Sequence, residues 1–132
     1  MAGKFIMKDA IVEDSFDWGT TGWISRPELT GSRALCVMDV TIAPGGGHPF
    51  HRHPDQEEVI WVREGRVEQW LERESKELGP GDAVYIPKDV VHASYTVGDQ
   101  PAKISVMLSP TAGEGGYEVV DVFDQEPWSA LR

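Results

Sequence analysis

Apolar residues in this chain come only in short stretches, at 32–43, 59–62, 67–71, 83–86 and 104–109, and where those stretches are longest they alternate with polar ones. Alternation with period two is the pattern of a half-buried strand, whereas an amphipathic helix needs apolar residues three and four positions apart. Nine prolines and fourteen glycines lie among the stretches, so turns recur too often for a helical pattern of any length. The expected class is all-β, and 132 residues suffice for one sizeable core and one domain.

Face assignments follow from the alternation. In residues 32–43, Ala34, Cys36, Met38, Val40 and Ile42 share one side, with Leu35, Val37, Asp39 and Thr41 on the other. Cys36 is the single cysteine and reads as a small core residue rather than a reactive thiol. Residues 44–50, Pro-Gly-Gly-Gly-His-Pro-Phe, read as a turn that no regular element occupies. Beyond it, Ile60 and Val62 fall on the side of Glu58, while Val59, Trp61 and Arg63 face outward. In residues 67–71, Val67, Gln69 and Leu71 point inward, opposite Arg66, Glu68, Trp70 and Glu72. Gln69 is therefore a candidate substrate contact, although an amide satisfied by nearby backbone is the commoner role for such a residue.

Chemistry concentrates in His51-Arg52-His53-Pro54-Asp55-Gln56-Glu57-Glu58. Two histidines one residue apart in extended chain lie on one face, roughly 7 Å apart along it, so both imidazoles can turn toward one ion. Two carboxylates follow, Glu57 and Glu58, and a third histidine, His92, comes after the turn at Pro87. Imidazole with a carboxylate oxygen suits a divalent first-row metal. His48, the remaining histidine, could serve as an outer-shell group or a pocket acid/base; its Gly/Pro surroundings favour a solvated loop position.

These residues resemble the two motifs of the cupin superfamily. The first motif is Gly, five residues, His-x-His, three or four residues, Glu, six residues, Gly, and Gly45, His51, His53, Glu58 and Gly65 match it without a gap. The second is Gly, five residues, Pro-x-Gly, two residues, His, three residues, Asn. Gly81, Pro87 and His92 match it, while Asp89 and Thr96 replace the Gly and the Asn. Aspartate tolerates the left-handed backbone such a turn needs better than most residues do. The resemblance implies a small antiparallel β-barrel, the double-stranded β-helix or jelly roll, with residues 32–110 as the barrel, 1–31 as an N-terminal arm and loop, and 111–132 as a tail. It implies one divalent metal ion per chain (Fe, Mn, Ni, Cu, Co or Zn) held by His51, His53, Glu58 and His92. Glu58 is taken over Glu57 because its distance to Gly65 fits the motif and adjacent strand residues point opposite ways.

Among cupins, the short single-domain form looks most like the quercetin-dioxygenase-like group. That likeness implies a metal-dependent dioxygenase acting on a small chelating molecule such as an enol, diketone, phenol or flavonoid. Glu58 would be both ligand and proton acceptor, and Ile60, Val62, Gln69 and His48 would be pocket residues. A non-redox metal enzyme (decarboxylase, isomerase or lyase) and a non-catalytic binding protein are the competing classes.

Charge narrows the partners. With 12 Lys and Arg against 22 Asp and Glu, the net charge is −10 and no basic cluster offers itself to nucleic acid. No apolar run approaches membrane-spanning length and residues 1–17 lack the pattern of a signal peptide, so a cytoplasmic protein with no membrane association is expected. Residues 4–8 and 11–12 could each form an edge strand, and by analogy with small cupins the segment reads as a dimerisation arm. Trp18 and Trp23, in a Gly/Thr-rich loop, read as a staple for the first strand, with a rim over the barrel mouth as the other role. Trp61 and Trp70, outward on strands expected to be neighbours, would form an apolar patch and so suggest a homodimer; cover by residues 1–17 is the alternative. The apolar tail at 117–123 should pair with something, with Trp128 as anchor.

Overall fold

In the computed structural model, which describes residues 3–132, the alternating stretches form two antiparallel sheets. The strands in chain order are β1 (Glu13–Phe16), β2 (Gly19–Ser25), β3 (Cys36–Ile42), β4 (Gly47–Arg52), β5 (Glu57–Glu64) and β6 (Val67–Leu71). They continue with β7 (Glu74–Leu78), β8 (Ala83–Ile86), β9 (His92–Thr96), β10 (Ala102–Ser109) and β11 (Val120–Asp121). One sheet has the order β1-β2-β3-β10-β5-β8 and the other β11-β4-β9-β6-β7. From β3 onward every connection except β6–β7 crosses between the sheets, as in the expected double-stranded β-helix jelly roll.

β3, β5 and β10 give every second residue to the core. Cys36, Met38, Val40 and Ile42 of β3 are buried together with Ile60 and Val62 of β5 and Ile104, Val106 and Leu108 of β10. Val67 reaches the same cluster from β6 in the other sheet. Burial pushes the Cys36 thiol up to about 11, in keeping with its core placement. The motif glycine after β5 is required by space as well as backbone. Gly65 has φ 74°, and a Cβ there would meet the Pro101 carbonyl oxygen at 2.5 Å.

Several expectations are corrected. β3 starts at Cys36 rather than at residue 32, because the Ser32 hydroxyl accepts the amides of Ala34 (3.3 Å) and Leu35 (3.1 Å) and curls the chain into a turn. β4 starts at Gly47, inside the stretch read as turn, because Gly47 and His48 pair with Tyr95 and Ser94 of β9. β7 has no apolar alternation to announce it and is held by pairing with β6, from Val67↔Leu78 to Leu71↔Glu74. Neither residues 4–8 nor 11–12 form strands; residues 8–10 make a 3-10 turn and the first strand begins at Glu13. Met1 and Ala2 of the expected arm lie outside the described residues.

The paired tryptophans are also separated. Trp61 sits on β5 and Trp70 on β6, in different sheets, so they form no common patch. Trp61 stays 48% exposed. Trp70 packs edge-on to Phe50 at 5.5 Å, and Trp128 lies 5.6 Å from Phe50 on the same layer with Val122. The tail, not the N-terminal segment, covers this face: β11 pairs with β4, and the Val122 amide donates to the Phe50 carbonyl at 3.0 Å. No helix among the described residues is long and apolar enough to cross a membrane.

Candidate metal centre

The ligand candidates come from three strand ends. His51 lies near the end of β4, His53 one residue past it, Glu58 at the start of β5 and His92 at the first position of β9, where it is the cross-strand partner of His51. All four are buried. The two motif turns are tied together, since the Asp89 amide donates to the His53 carbonyl at 2.9 Å and Arg52 pairs with the Asp89 carboxylate at 2.6 Å. Asp89 adopts φ 64°, the left-handed conformation anticipated for it. Thr96, in place of the motif asparagine, places its hydroxyl 2.8 Å from the Ala43 carbonyl and 3.0 Å from that of Gly46.

Hydrogen bonding decides which way each imidazole presents its lone pair. Nδ1 of His51 lies 2.6 Å from the Pro49 carbonyl, that of His53 2.7 Å from the Glu118 carbonyl and that of His92 2.9 Å from the Val90 carbonyl. A carbonyl oxygen only accepts, so each Nδ1 carries the proton and each Nε2 keeps a bare lone pair. The three residues offer ligand atoms all within 4.8 Å of one another. Glu58 Oε1 lies 2.8 Å from His92 Nε2 and 3.4 Å from His53 Nε2. At these distances Oε1 and the His92 Nε2 still lack hydrogen-bond geometry and remain buried without a partner. Converging lone pairs and an unpartnered carboxylate oxygen are what a divalent cation requires, and the donor set fits one.

Electrostatics acts differently on the individual groups. Burial pushes His51 well below 6.5, helped by His48, His92 and His53. Burial also lowers His48 to about 4, with His92 adding to the effect. For His53, burial acts downward, but the nearby Glu58 carboxylate outweighs it and the net shift is up. Burial acts upward on Glu58, yet the charge of His92 and contacts from both histidines hold its carboxyl well below the usual range. An anionic Glu58 beside a neutral His51 is the form of those two groups that binds metal, and an ion would displace the proton that Glu58 favours on His53.

The ligands line a cleft whose walls include Met38, Ile60, Val106, Trp18, Tyr117 and Ser94. His48 belongs to this wall rather than to a solvated loop, because the pairing of Gly47 and His48 with β9 turns it inward. Its ring stacks on His51 at 3.7 Å and on Trp18 at 5.6 Å, and Trp18 stacks in turn on Phe16 at 5.2 Å. The two tryptophans of the loop therefore divide the roles considered for them. Trp18 is at the cleft, while Trp23 is core, 4% exposed, with its Nε1 donating to Asp14 at 2.8 Å.

Of the other pocket candidates, Ile60 lines the cleft, whereas Val62 and Gln69 do not. Val62 is one turn of the alternation further from the ligands and is fully buried in the core. The Gln69 amide is satisfied, accepting from the Ser94 hydroxyl at 2.7 Å and donating to the Trp70 carbonyl at 3.1 Å. Glu57 is exposed on the outer face of β5. Thr21, Ser94, Trp18 and Tyr117 line the cleft without having been singled out as pocket residues. Tyr117 comes from the tail, and no local pattern announces that the tail returns to the site.

Comparison with known proteins agrees with this architecture. Residues 38–108 match the family described as Cupin domain. A polyketide synthase, CurC, of Streptomyces cyaneus is 37% identical over 70% of this chain and 57% of its own length. Germin-like protein 3-8 of rice (Oryza sativa) is 39% identical over 53% of this chain and 33% of its own length. The chain thus spans a third to somewhat over half of these two relatives. An uncharacterized protein of Methanocaldococcus jannaschii is 31% identical over 73% of this chain and 77% of its own. Among solved structures, the polyketide cyclase RemF of Streptomyces resistomycificus superposes with a TM-score of 0.77 at 20% identity over 97% of both chains. At these identities the structural likeness speaks for the fold, and nothing in it singles out the quercetin-dioxygenase-like group.

Proposed function

Since the chain belongs to the cupin family, we propose that it is a metal-dependent enzyme for a small, flat, oxygen-chelating molecule, with one divalent ion held by His51, His53, His92 and Glu58. The observation that carries this reading is the set of three Nδ1 atoms tied to backbone carbonyls, which leaves three Nε2 atoms free to ligate, those of His53 and His92 within 3.4 Å of the Glu58 carboxylate. Backbone partners of this kind orient and strengthen imidazole ligands. A divalent ion in that position supplies Lewis acidity toward a chelating enol or phenol oxygen and, where it is redox-active, a path for electrons to dioxygen.

The chain's own groups do the remaining work. Met38, Ile60 and Val106 exclude water from the cleft base, and the Trp18 and Tyr117 rings offer flat faces to an aromatic or enolic plane. Glu58 is placed to accept a substrate proton, and dioxygenation is the first reaction assigned. A second reading, non-redox proton transfer such as enolisation or cyclisation, is favoured by His48. Its imidazole lines the cleft, stacked on His51 at 3.7 Å, where it can hydrogen-bond a substrate oxygen or relay its proton. The likeness to a relative named as a polyketide synthase supports the same reading.

The deciding experiment is elemental analysis of protein prepared without added metal, followed by turnover of polyphenols and 1,3-diketones in an oxygen electrode and under nitrogen. Stoichiometric metal with oxygen uptake supports dioxygenation. Product formed equally under nitrogen supports proton-transfer chemistry. Tight ligand binding without product in either atmosphere leaves a binding protein, and absence of metal after loading with Fe, Mn, Ni, Cu, Co and Zn in turn refutes the whole reading. The homodimer belongs to the same proposal and rests now on the outer face of the larger sheet. Trp61 and Tyr85 are 48% and 54% exposed there on neighbouring strands, and sedimentation of Trp61→Glu against the wild type tests it.

A further inference from the structure

Gln56 is only 2% exposed, in the turn between His53 and Glu58, and its side-chain amide is spent entirely on one distant segment. Nε2 donates to the Pro110 carbonyl at 2.7 Å and the Gly116 carbonyl at 3.0 Å, and Oε1 accepts from the Glu118 amide at 3.1 Å. The segment 110–118 has other ties as well: the Thr111 amide donates to the Arg33 carbonyl at 3.1 Å, and the Tyr117 ring lies 5.6 Å from that of Trp23 and packs against the core. Thr111 reaches the Arg33 carbonyl through its hydroxyl at 2.9 Å, Arg33 pairs with Glu114 in an exposed bridge, and Ala112 and Gly116 close a small internal loop. A surface ion pair of this kind contributes little.

What this segment brings to the cleft is specific. The Glu118 carbonyl is the acceptor for His53 Nδ1–H at 2.7 Å, and the Tyr117 ring forms part of the cleft wall 6.0 Å from the His53 ring. We propose that Gln56 is a positioning residue for the metal centre: by clamping residues 110–118 it sets the Glu118 carbonyl that orients His53 and the Tyr117 ring that walls the cleft. The proposal rests on the metal-enzyme reading above. Without the clamp, the Glu118 carbonyl moves off, both His53 tautomers become available, and the imidazole no longer presents Nε2 uniquely. Loss of such an outer partner lowers metal affinity by roughly 10–100-fold.

The test uses cobalt(II) as the probe, with its dissociation constant measured by chelator competition and its visible spectrum recorded. The variants are Gln56→Met, near-isosteric and unable to make the three hydrogen bonds, and Val67→Ala, a core truncation outside the cleft that controls for general destabilisation. The expected result is a 10–100-fold weaker cobalt affinity and an altered spectrum in Gln56→Met, with both unchanged in Val67→Ala. Wild-type affinity and spectrum in Gln56→Met overturn the proposal, as does an equal loss in Val67→Ala. Failure of the wild type to bind cobalt is a different result and refutes the metal reading itself.

Should Gln56→Met not fold, the wild type alone decides. Coupling is reciprocal, so cobalt loading must slow cleavage by a glutamate-specific protease at Glu114 and Glu118, both exposed in this segment. Equal cleavage with and without cobalt overturns the proposal.

Discussion

Acid sensitivity of the metal-free protein should be set in large part by His48. An ordinary histidine titrates near 6.5, and this one is lowered to about 4, first by burial and then by the neighbouring His92 and His53, which disfavour a further proton beside them. Between those two values the unfolded chain takes up a proton that the folded chain refuses. Stability therefore falls as the pH falls below 6.5 and levels off below 4. At about 1.36 kcal/mol per pH unit of separation, the whole loss is about 3 kcal/mol, of which about 2 kcal/mol has gone by pH 5. The perturbation is His48→Gln and the assay is urea unfolding of chelator-treated protein at pH 7.5 and pH 5. With a slope of about 1–3 kcal/mol per molar urea, the wild-type midpoint should drop by roughly 1 M more than that of the variant. Lost stacking on His51 and Trp18 cancels, because each protein is compared with itself. Equal drops in the two proteins would refute the argument, and any remainder in the variant belongs to His51, also held neutral by burial.

Two further outcomes are expected. His92→Ala should abolish the rise in Tm on metal addition, whereas Glu57→Ala, exposed on the outer face of β5, should bind metal as the wild type does; thermal melts with and without metal check both, and the reverse pattern would show the ligand assignment to be wrong. Gly65→Ala should cost about 3 kcal/mol, combining a left-handed backbone with overlap against the Pro101 carbonyl; urea unfolding reads it, and a change below 1 kcal/mol, roughly the backbone cost alone, would contradict the close approach.

Strands that bury one face were legible because burial of every second side chain writes period two into the residues themselves. Cys36, Met38, Val40 and Ile42 show this, as do Ile60 and Val62. β7 was not legible, since its Glu-Ser-Lys-Glu-Leu sequence faces solvent and its only reason to be a strand is hydrogen bonding to β6. The start of β4 was hidden in the same way: Gly47 and Pro49 look like turn residues, and only the partner strand β9 makes the backbone extended. The ligand candidates were readable because His51, His53 and Glu58 are close in sequence and His92 follows at motif spacing. Gln56 and Tyr117 were not, because each matters through contacts with segments far along the chain.

Trp61 and Trp70 show the limit of face assignment. Alternation put both outward, which the structure bears out, yet it carries no information on which sheet each strand joins. Local patterning by itself determined the all-β class and the inward faces, because those depend on side-chain period, while the metal-ligand candidates came from the resemblance of the motifs at 45–65 and 81–96 to those of cupins. Only the tertiary structure decided that the tail returns to cover Trp70 and to orient His53, and that His48 turns into the cleft. Those outcomes depend on which distant backbone is left to accept a hydrogen bond, and the pattern of a single strand does not encode its partners.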